Sequence, residues 1–377
     1  MKQFALCLFV FLIFGLSLSS SQEKPRLREF GIETGVLMPG KWNAITDVPG
    51  IKIGHVTLIK GDNIRTGVTA ILPHEGNIYQ ESVPGAMYVA NGYGKLMGYT
   101  QVTELGNIET PIILTNTLSV PTAANALITY TLSLPGNEEV RSVNAVVGET
   151  NDGFLNDIRG RHVKEKHVLE AIKKAASGPV EEGCVGAGTG TQCFRWKGGI
   201  GTSSRKIPEK SGGFMVGVLV QTNFGGVFRL NGYPVEKKIG DYYMAGENGA
   251  VPEGSCMIVV ATDAPLDSRN LRRLAKRALL GIPRTGGYYS NQSGDYAIAF
   301  STAAEVRIPR QSKERTLQIE VLMNEHTSPL FLAAAEAAEE AILNAMFKAT
   351  TTVGRDGHTL EALPLDKIRE IMNLQDK

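Results

Sequence analysis

The amino-acid sequence predicts a single α/β domain in which helices cover a large system of β-sheet on more than one face. Strand-like apolar runs alternate with amphipathic helical segments, and neither a linker nor an internal repeat divides the 377 residues. The composition, 42% hydrophobic and 20% charged with 42 glycines, is typical of a globular chain that buries a large core. We therefore expect one domain, although the length would permit two.

Two periodicities in the sequence define the expected elements. Seven segments combine apolar and β-branched residues and are predicted to be strands: 86–90, 111–116, 144–148, 214–222, 257–261, 297–302 and 317–323. Five segments space their apolar residues three and four apart and are predicted to be helices: 122–132, 163–176, 268–280, 332–348 and 365–372. Ser268 is a candidate N-cap and Pro364 precedes the last helix, whereas the glycine-rich stretch 183–201 is predicted to be a loop.

The first 21 residues have the pattern of a secretory signal peptide, with a basic start, an apolar run over 4–16 and small residues over 17–21. The apolar run is shorter than the ~20 residues that span a bilayer, so we expect an exported protein, periplasmic or secreted, without a membrane anchor. Export would place the remaining cysteines in a compartment that permits disulfides, and a bridge between Cys184 and Cys193 is one arrangement.

The charge balance and the spacing of polar motifs exclude several classes of function. Lys and Arg number 39 against 38 Asp and Glu, and no basic stripe with interleaved aromatics is present, so a nucleic-acid partner is not expected. The segment 186–190 lacks the spacing of a dinucleotide site and the Lys-Ser/Thr of a phosphate loop. His162 and His167 are five residues apart and are expected to be solvated, so we expect neither a metal nor another cofactor.

The dipeptide Gly254-Ser255 carries the strongest chemical signal, because it places a serine at the entrance of the apolar strand predicted over 257–261. Glycine offers no Cβ to resist a strained backbone, and a downstream hydroxyl can attack such a peptide bond. Cleavage would leave Ser255 as a new N-terminus, whose α-amine has an ordinary pKa of about 7.7–8.0 and can take the hydroxyl proton. Nucleophile and base would then belong to one residue.

An ordinary turn is the alternative for this dipeptide, and four other junctions also place a nucleophile after glycine. They are Gly183-Cys184, Gly188-Thr189, Gly190-Thr191 and Gly201-Thr202. None of them leads directly into a run as apolar and β-branched as the one after Ser255. No histidine lies near a serine motif of the ordinary catalytic triad, which favours a base of another kind.

Three further segments supply groups that acyl transfer needs. Ser293 and Asp295 would project to the same side of an extended segment and could bind the α-ammonium of Ser255; a Ser-Gly-Asp turn is the alternative. Asn223 ends an apolar strand and could donate its amide N–H to an oxyanion, or it could close an Asx turn. Glu149 ends another strand and could hold a substrate ammonium, or it could be a solvated acid.

These segments occur together with Asp47-Val48-Pro49-Gly50-Ile51-Lys52-Ile53-Gly54-His55, with Ala261-Thr262-Asp263-Ala264-Pro265-Leu266, and with glycine-rich stretches at 183–190 and 196–205. In this order the motifs resemble the L-aminopeptidase/D-esterase family, which includes the β-peptidyl aminopeptidases. The resemblance implies a precursor that cuts itself into two subunits, an α-β-β-α sandwich of the N-terminal-nucleophile-hydrolase type, assembly into homo-oligomers, and no metal or other cofactor.

Carried over by position, the resemblance implies cleavage between Gly254 and Ser255. The products would be a larger subunit of residues 22–254 and a smaller subunit of residues 255–377, which together form one globular domain. Ser255 would be the nucleophile, and Asn223 would be the oxyanion donor.

The resemblance assigns the remaining groups to the two amines of the reaction. Ser293 with Asp295 would support the catalytic amine, and Glu149 would anchor the amine of the substrate. Asn151 would line the substrate site and stands where some members carry tyrosine. Asp295 is one methylene shorter than the glutamate of some β-aminopeptidases.

The predicted function is that of a self-processing aminopeptidase with an N-terminal serine. Through an acyl-enzyme it would remove the N-terminal amino acid from a short peptide, amide or ester, with D- or β-amino acids as further substrates. Two rivals stay open: an acyltransferase on a similar self-processing scaffold, and an exported binding protein without turnover. The stereochemistry of the preferred residue stays open too, because pocket shape decides it.

Overall fold

A computed structural model describes residues 24–374, apart from 241, 243 and 245–253. The predicted signal peptide and the residues just before Gly254 lie outside the described part. The strands are β1 (Lys52–Lys60), β2 (Ile64–Leu72), β3 (Glu81–Gly92), β4 (Asn107–Ile108), β5 (Ile112–Asn116), β6 (Val146–Thr150), β7 (Gln192–Cys193), β8 (Trp196–Lys197), β9 (Ile200–Lys206), β10 (Met215–Asn223), β11 (Gly254–Thr262), β12 (Ser293–Ser301), β13 (Ile308–Pro309), β14 (Thr352–Val353) and β15 (Thr359–Leu360). The helices are α1 (Tyr99–Leu105), α2 (Val120–Leu132), α3 (Glu165–Lys174), α4 (Val235–Ile239), α5 (Ser268–Ala278), α6 (Gly281–Thr285), α7 (Ser328–Phe347) and α8 (Leu365–Ile371).

These elements form four layers. A four-stranded sheet has the order β1-β2-β5-β6, and a seven-stranded sheet has the order β13-β3-β12-β11-β10-β9 with β4 paired to β3. Helices α2 and α3 pack on the outer face of the small sheet, and α5 and α7 pack on the outer face of the large sheet. The predicted α-β-β-α sandwich is therefore confirmed.

Apolar side chains fill the interfaces between the layers. Along β11, Met257 and Val259 point into the space between the two sheets, whereas Cys256 and Ile258 point towards α5 and α7. This alternation follows from the two-residue period of a strand. Because both faces are covered, β11 and its parallel neighbour β12 read as continuous apolar runs in the sequence.

Helix α7 is buried on nearly all sides although it carries three glutamates. It packs so closely on β9 that a Cβ on Gly201 would collide with the helix backbone. Glu336 and Glu340 bind the buried side chain of Arg205 in β9, with Nη2 of Arg205 2.6 Å from Oε2 of Glu340. Pairing of this kind is needed because an unpaired buried carboxylate destabilises the folded state by several kcal/mol. Within the described ranges, no helix is long and apolar enough to cross a membrane.

Six of the seven predicted strands and all five predicted helices are present, with ends shifted by about five residues at most, as at the start of β3. The sequence did not predict β1, β2 or β9. Strand β9 was missed because it is polar and follows the glycine-rich stretch that we expected to be a loop throughout. Its polar side chains are buried but hydrogen-bonded: Ser203 and Ser204 bind Asn43 and Asp47, and Arg205 binds α7.

The predicted strand over 317–323 is wrong. The segment lies on the surface, where Leu317, Ile319, Val321 and Met323 are between 43% and 66% exposed. No strand pairs with it in the described part of the chain. Its alternating pattern predicted a strand, but a strand also needs a neighbouring sheet edge, which sequence alone does not supply.

Three smaller predictions also need correction. The N-cap of α5 is Asp267, whose carboxylate accepts the N–H of Asn270, and Ser268 is the first helical residue. Cys184 and Cys193 are both free, so the Cys184–Cys193 bridge is not formed. His167 is buried rather than solvated, and its Nδ1 accepts the Lys164 N–H at the start of α3.

Candidate active site

A cavity of about 580 Å³ opens where the ends of β6 and β10 meet the start of β11. Residues of both sheets line it, including Gly254, Ser255, Asn223, Glu149 and Asn151. The fold therefore brings most of the sequence-predicted site residues together, although they are up to about a hundred residues apart in the chain.

A second cavity, of about 640 Å³, lies around the ion pair between the partly exposed Arg26 and the buried Glu182, and none of the predicted site residues lines it. In the described part of the chain, no three His, Cys, Asp or Glu side chains are grouped so that they could hold a metal ion. The candidate site is therefore built around the cavity at the start of β11.

Ser255 is the second residue of β11 and is buried. Among the described residues, its Oγ has no hydrogen-bond partner. Its side chain lies on the same face of β11 as Met257, towards the small sheet. The Gly254–Ser255 peptide bond lies between Asn223 of β10 and the start of β12. Because both residues belong to the strand, the alternative of an ordinary turn is wrong.

The rival threonine junctions have hydroxyls that are already engaged. Thr189 donates to the Gly186 carbonyl, Thr191 to the Gly188 carbonyl, and Thr202 to the Val218 carbonyl. None of these threonines lines the cavity. The geometry thus favours Ser255 over them as the nucleophile, since an attacking hydroxyl must be free to approach a carbonyl carbon.

Asn223 ends β10 directly opposite Ser255 in the antiparallel pair. Its Oδ1 accepts the backbone N–H of Gln192 at 3.1 Å, so the side-chain amide is held in one orientation. Nδ2 is then the group that remains available to a ligand in the cavity. The residue closes no Asx turn, and its position suits an oxyanion donor.

Glu149 is buried, with only 3% of its surface exposed, so the alternative of a solvated acid is wrong. Oε1 accepts the backbone N–H of Lys95 at 2.9 Å, and Oε2 accepts the hydroxyl of Thr117. Burial raises the pKa of Glu149, and the hydrogen bonds from Thr117 and Lys95 oppose that shift. A carboxylate buried at the wall of a cavity is suited to pair with a cation.

Ser293 and Asp295 begin β12, so the alternative of a Ser-Gly-Asp turn is wrong. In the parallel pair, Gly254 lies opposite Ser293, and Cys256 lies opposite Asp295. The Asp295 side chain therefore shares the sheet face of Cys256, which points towards α5 and α7, and neither Ser293 nor Asp295 lines the cavity. These two residues flank the backbone of the Gly254–Ser255 bond rather than the serine hydroxyl.

Asp295→Asn is expected to change how the stability of the uncut chain depends on pH. Both carboxylate oxygens are buried without a charged partner among the described residues. Burial raises the pKa of Asp295 from 3.8 to about 7, and an interaction with the Ser293 hydroxyl opposes that shift. The folded chain thus holds this proton more tightly than the unfolded chain does. The contribution to stability is complete below pH ~4 and is lost as the pH rises to ~7. Between pH 5 and 8, the free energy of unfolding measured in urea should fall by about 1–3 kcal/mol less in Asp295→Asn than in the parent chain.

Asp62→Asn, at an exposed position, is the matched control and should leave the pH dependence unchanged. Both variants are compared in a Ser255→Ala background, so that each sample contains one uncut chain. An unaltered pH slope in Asp295→Asn would contradict a buried carboxyl with a raised pKa at this position.

The rim of the cavity is partly aromatic. Asn151 is exposed and accepts the N–H of Gly153 at 2.8 Å, which is the predicted Asn-Asp-Gly turn. The turn presents Phe154, whose ring stacks on His358 with centroids 4.6 Å apart. Tyr93 supplies a second aromatic ring. The site therefore has aromatic walls although position 151 is an asparagine.

Comparison with known proteins identifies the family. The family model described as peptidase family S58 matches residues 43–360. The chain belongs to peptidase family S58. The β-peptidyl aminopeptidase BapA of Sphingosinicella microcystinivorans is 40% identical over an alignment of 378 positions, gaps included, and the alignment covers 94% of this chain and 93% of that protein. Membership of peptidase family S58 confirms the prediction of a peptidase, a hydrolase that acts on peptide bonds.

Solved structures of similar proteins have the same fold. The PH0078 protein of Pyrococcus horikoshii OT3 has a TM-score of 0.86 and 50% identity, covering 93% of this chain and 99% of that one. The L-aminopeptidase D-Ala-esterase/amidase of Ochrobactrum anthropi has a TM-score of 0.85 and 35% identity, covering 93% and 98%. That protein is described as a serine aminopeptidase with a variant of the Ntn hydrolase fold. The predicted fold of this S58 chain is thereby confirmed.

Sequence reasoning missed the groups that hold the site residues in place. Thr117 and the N–H of Lys95 bind Glu149, and the N–H of Gln192 binds Asn223. A signal for Thr117 was present: it follows the strand predicted over 111–116, and parallel neighbours end at one edge of a sheet. The backbone donors had no signal, because any residue type can supply an N–H.

Proposed function

We propose that this chain is a self-processing serine aminopeptidase in which the α-amine of Ser255 is the catalytic base. It cuts its own Gly254–Ser255 bond and then removes the N-terminal amino acid from short peptides, amides and esters. One arrangement carries the proposal: the unpartnered Ser255 hydroxyl, the Asn223 amide and the buried Glu149 carboxylate face one cavity. The names of the relatives support β-amino acids and D-alanine esters or amides as further substrates.

The reaction proceeds by acyl transfer to Ser255. The free α-amine takes the hydroxyl proton while Oγ attacks the carbonyl carbon of the N-terminal residue of the substrate. Nδ2 of Asn223 donates to the oxyanion, and such a donor contributes about 2.7–4 kcal/mol in a preorganised site. The proton then passes to the leaving amine as the scissile bond breaks. Water attacks the acyl ester and releases the amino acid with regeneration of Ser255.

Ser293 and Asp295 act on the amine of Ser255 in this proposal. Cleavage creates an ammonium at the position that they flank, and in the uncut chain Asp295 has no charged partner among the described residues. An ammonium nearby would lower the pKa of the Asp295 carboxyl, and the carboxylate would hold the new terminus in place. The cut therefore supplies a counter-ion for a buried carboxyl that has none among the described residues.

Glu149 restricts the enzyme to free N-termini. Its carboxylate is removed from water and receives only two hydrogen bonds, from Lys95 and Thr117, among the described residues, so a substrate ammonium can occupy its remaining acceptor positions. An acetylated N-terminus carries no charge to compensate the buried carboxylate. The protein is thus an exopeptidase rather than an endopeptidase.

Glu149→Gln is expected to lower kcat/KM for a free-amine dipeptide by about 30-fold or more, since removing one member of a buried charge pair costs about 2–5 kcal/mol. Glutamine preserves the side-chain shape and can still accept the Lys95 N–H. Steady-state hydrolysis of a free dipeptide and its N-acetylated form by both proteins measures the effect.

The exposed Glu305→Gln is the matched control and should behave like the wild type. In the wild type, the acetylated peptide should be a poor substrate. Equal cleavage of the free and the acetylated peptide by the wild type would overturn the aminopeptidase proposal.

We also propose that the protein is exported and forms homo-oligomers. The pattern of residues 1–21 supports export, and the exposed apolar side chains over 317–323 supply a surface that a second copy could cover. On export, the larger fragment should begin near residue 22.

A further inference from the structure

Gln221 lies between the two sheets and is fully buried. The two N–H groups of its Nε2 are shared among three acceptors: the Thr115 carbonyl of β5 at 3.1 Å, the Thr150 hydroxyl of β6 at 2.8 Å, and the Ala187 carbonyl at 3.0 Å. Gln221 itself belongs to β10 of the large sheet. One side chain therefore ties the large sheet to two strands of the small sheet and to the glycine-rich loop.

The orientation of this amide is fixed by its partners. Two of the three acceptors are backbone carbonyls, which cannot donate, so the nitrogen of Gln221 must face them. Its Oε1 is buried without a hydrogen bond in the described part of the chain. An unmade buried hydrogen bond costs about 1–3 kcal/mol. This orientation of the Gln221 amide therefore keeps the contacts to all three acceptors, and the unpartnered Oε1 lowers the stability of the fold.

The three contacts adjoin the reactive groups on both sides. Thr150 follows Glu149 directly in the chain. On the large sheet, Gln221 precedes Asn223 by two residues and pairs with Met257, two residues after Ser255. The proposed ammonium anchor thus stands on the small sheet, and the nucleophile stands on the large sheet. The layer between them is mainly apolar, and apolar packing is not directional.

We propose that Gln221 is a positioning residue that fixes the separation between the Glu149 carboxylate and the Oγ of Ser255, and thereby selects the length of the substrate's N-terminal residue. The inference rests on the proposed function. A β-amino acid has one methylene more than an α-amino acid between its amine and its carbonyl. With the amine held at Glu149, that extra bond of about 1.5 Å displaces the carbonyl relative to Oγ. A displacement of about 1 Å can change the rate 10²-fold.

The test compares two free-amine substrates that share a side chain and a leaving group, one with an α- and one with a β-amino acid at the N-terminus. In Gln221→Met the side chain keeps its length and loses its hydrogen bonds to all three acceptors. We expect the ratio of the two kcat/KM values to move towards unity by about tenfold, with the larger loss for the substrate that the wild type prefers. The ratio is independent of the active fraction of each preparation.

Two further variants accompany Gln221→Met. Leu219→Met changes another buried residue of β10 that lies in the same layer between the sheets, and should leave the ratio unchanged. Thr150→Val keeps the side-chain shape and removes one of the three acceptors. It should move the ratio in the same direction by a smaller factor, and it provides the test if Gln221→Met does not fold.

A wild-type ratio retained in Gln221→Met or, where that variant is unfolded, in Thr150→Val overturns the positioning role while the aminopeptidase proposal stands. An equal shift in Leu219→Met also overturns it, because general repacking would then explain the change. If the wild type cuts neither free-amine substrate, the proposed function and this inference fail together.

Discussion

Ser255→Ala is expected to remain a single chain and to lose activity by a factor of at least about 10⁴, as found when the nucleophile of a serine hydrolase is removed. The variant lacks the hydroxyl that attacks the Gly254 carbonyl, so the α-amine that serves as base is never released. Intact mass and N-terminal sequencing under denaturing conditions measure the cut, and hydrolysis of a free-amine dipeptide measures the activity. The wild type should give a smaller fragment that begins at Ser255.

Ser312→Ala, at an exposed position, is the matched control and should be cut and active. A wild-type chain that stays whole would remove the catalytic amine and favour a binding protein without turnover. A fragment that begins at another junction would move the nucleophile away from Ser255. If most of the acyl group is transferred to an added amine acceptor rather than to water, the result supports the acyltransferase alternative.

Arg205→Met is expected to lower the free energy of unfolding by about 3–5 kcal/mol, because it leaves buried carboxylates without their cation. Arg205 is fully buried and binds Glu340 at 2.6 Å and Glu336 at 3.3 Å. Arg28, at 2.9 Å from Glu340, compensates only part of the loss. Since whole proteins have a stability of about 5–15 kcal/mol, the change is a large fraction of the total. Urea unfolding in the Ser255→Ala background measures it.

Arg141→Met is the control for this prediction. Arg141 is 89% exposed and lies 3.9 Å from Glu139, so its ion pair should contribute at most about 1 kcal/mol. A similar small effect for Arg205→Met would show that the buried charges near α7 do not stabilise the fold. It would also imply that water reaches Glu336 and Glu340.

The parts of the fold that were predictable are those in which burial leaves a simple pattern. The apolar run after Ser255 identified β11, and the alanine-rich segment after 332 identified most of α7. Strand β9 was not predictable, because its serines and Arg205 are buried through partners from distant segments. Polar residues inside a protein depend on partners, and a local pattern does not contain them.

In the candidate site, too, local patterns were predictable and contacts between distant segments were not. Side chains at the ends of apolar strands could be predicted, and Ser255, Asn223 and Glu149 all line one cavity. The face that Asp295 occupies could not be predicted, because it depends on the register between β11 and β12. Gln221 appeared as one polar residue in an apolar strand, and only the contact between the two sheets explains it.

The position of β11 and β12 in the large sheet determines the order of events during biosynthesis. Both strands lie between β3 and β10, although they follow them in the chain. When residues up to 254 have left the ribosome, β3 and β10 are present, but the two strands that lie between them in the sheet are not. Folding of the centre of the sheet must wait for β12 and α7, and the proposed self-cleavage would follow folding. Fragments expressed from two separate genes would meet with open edges, which are prone to aggregation.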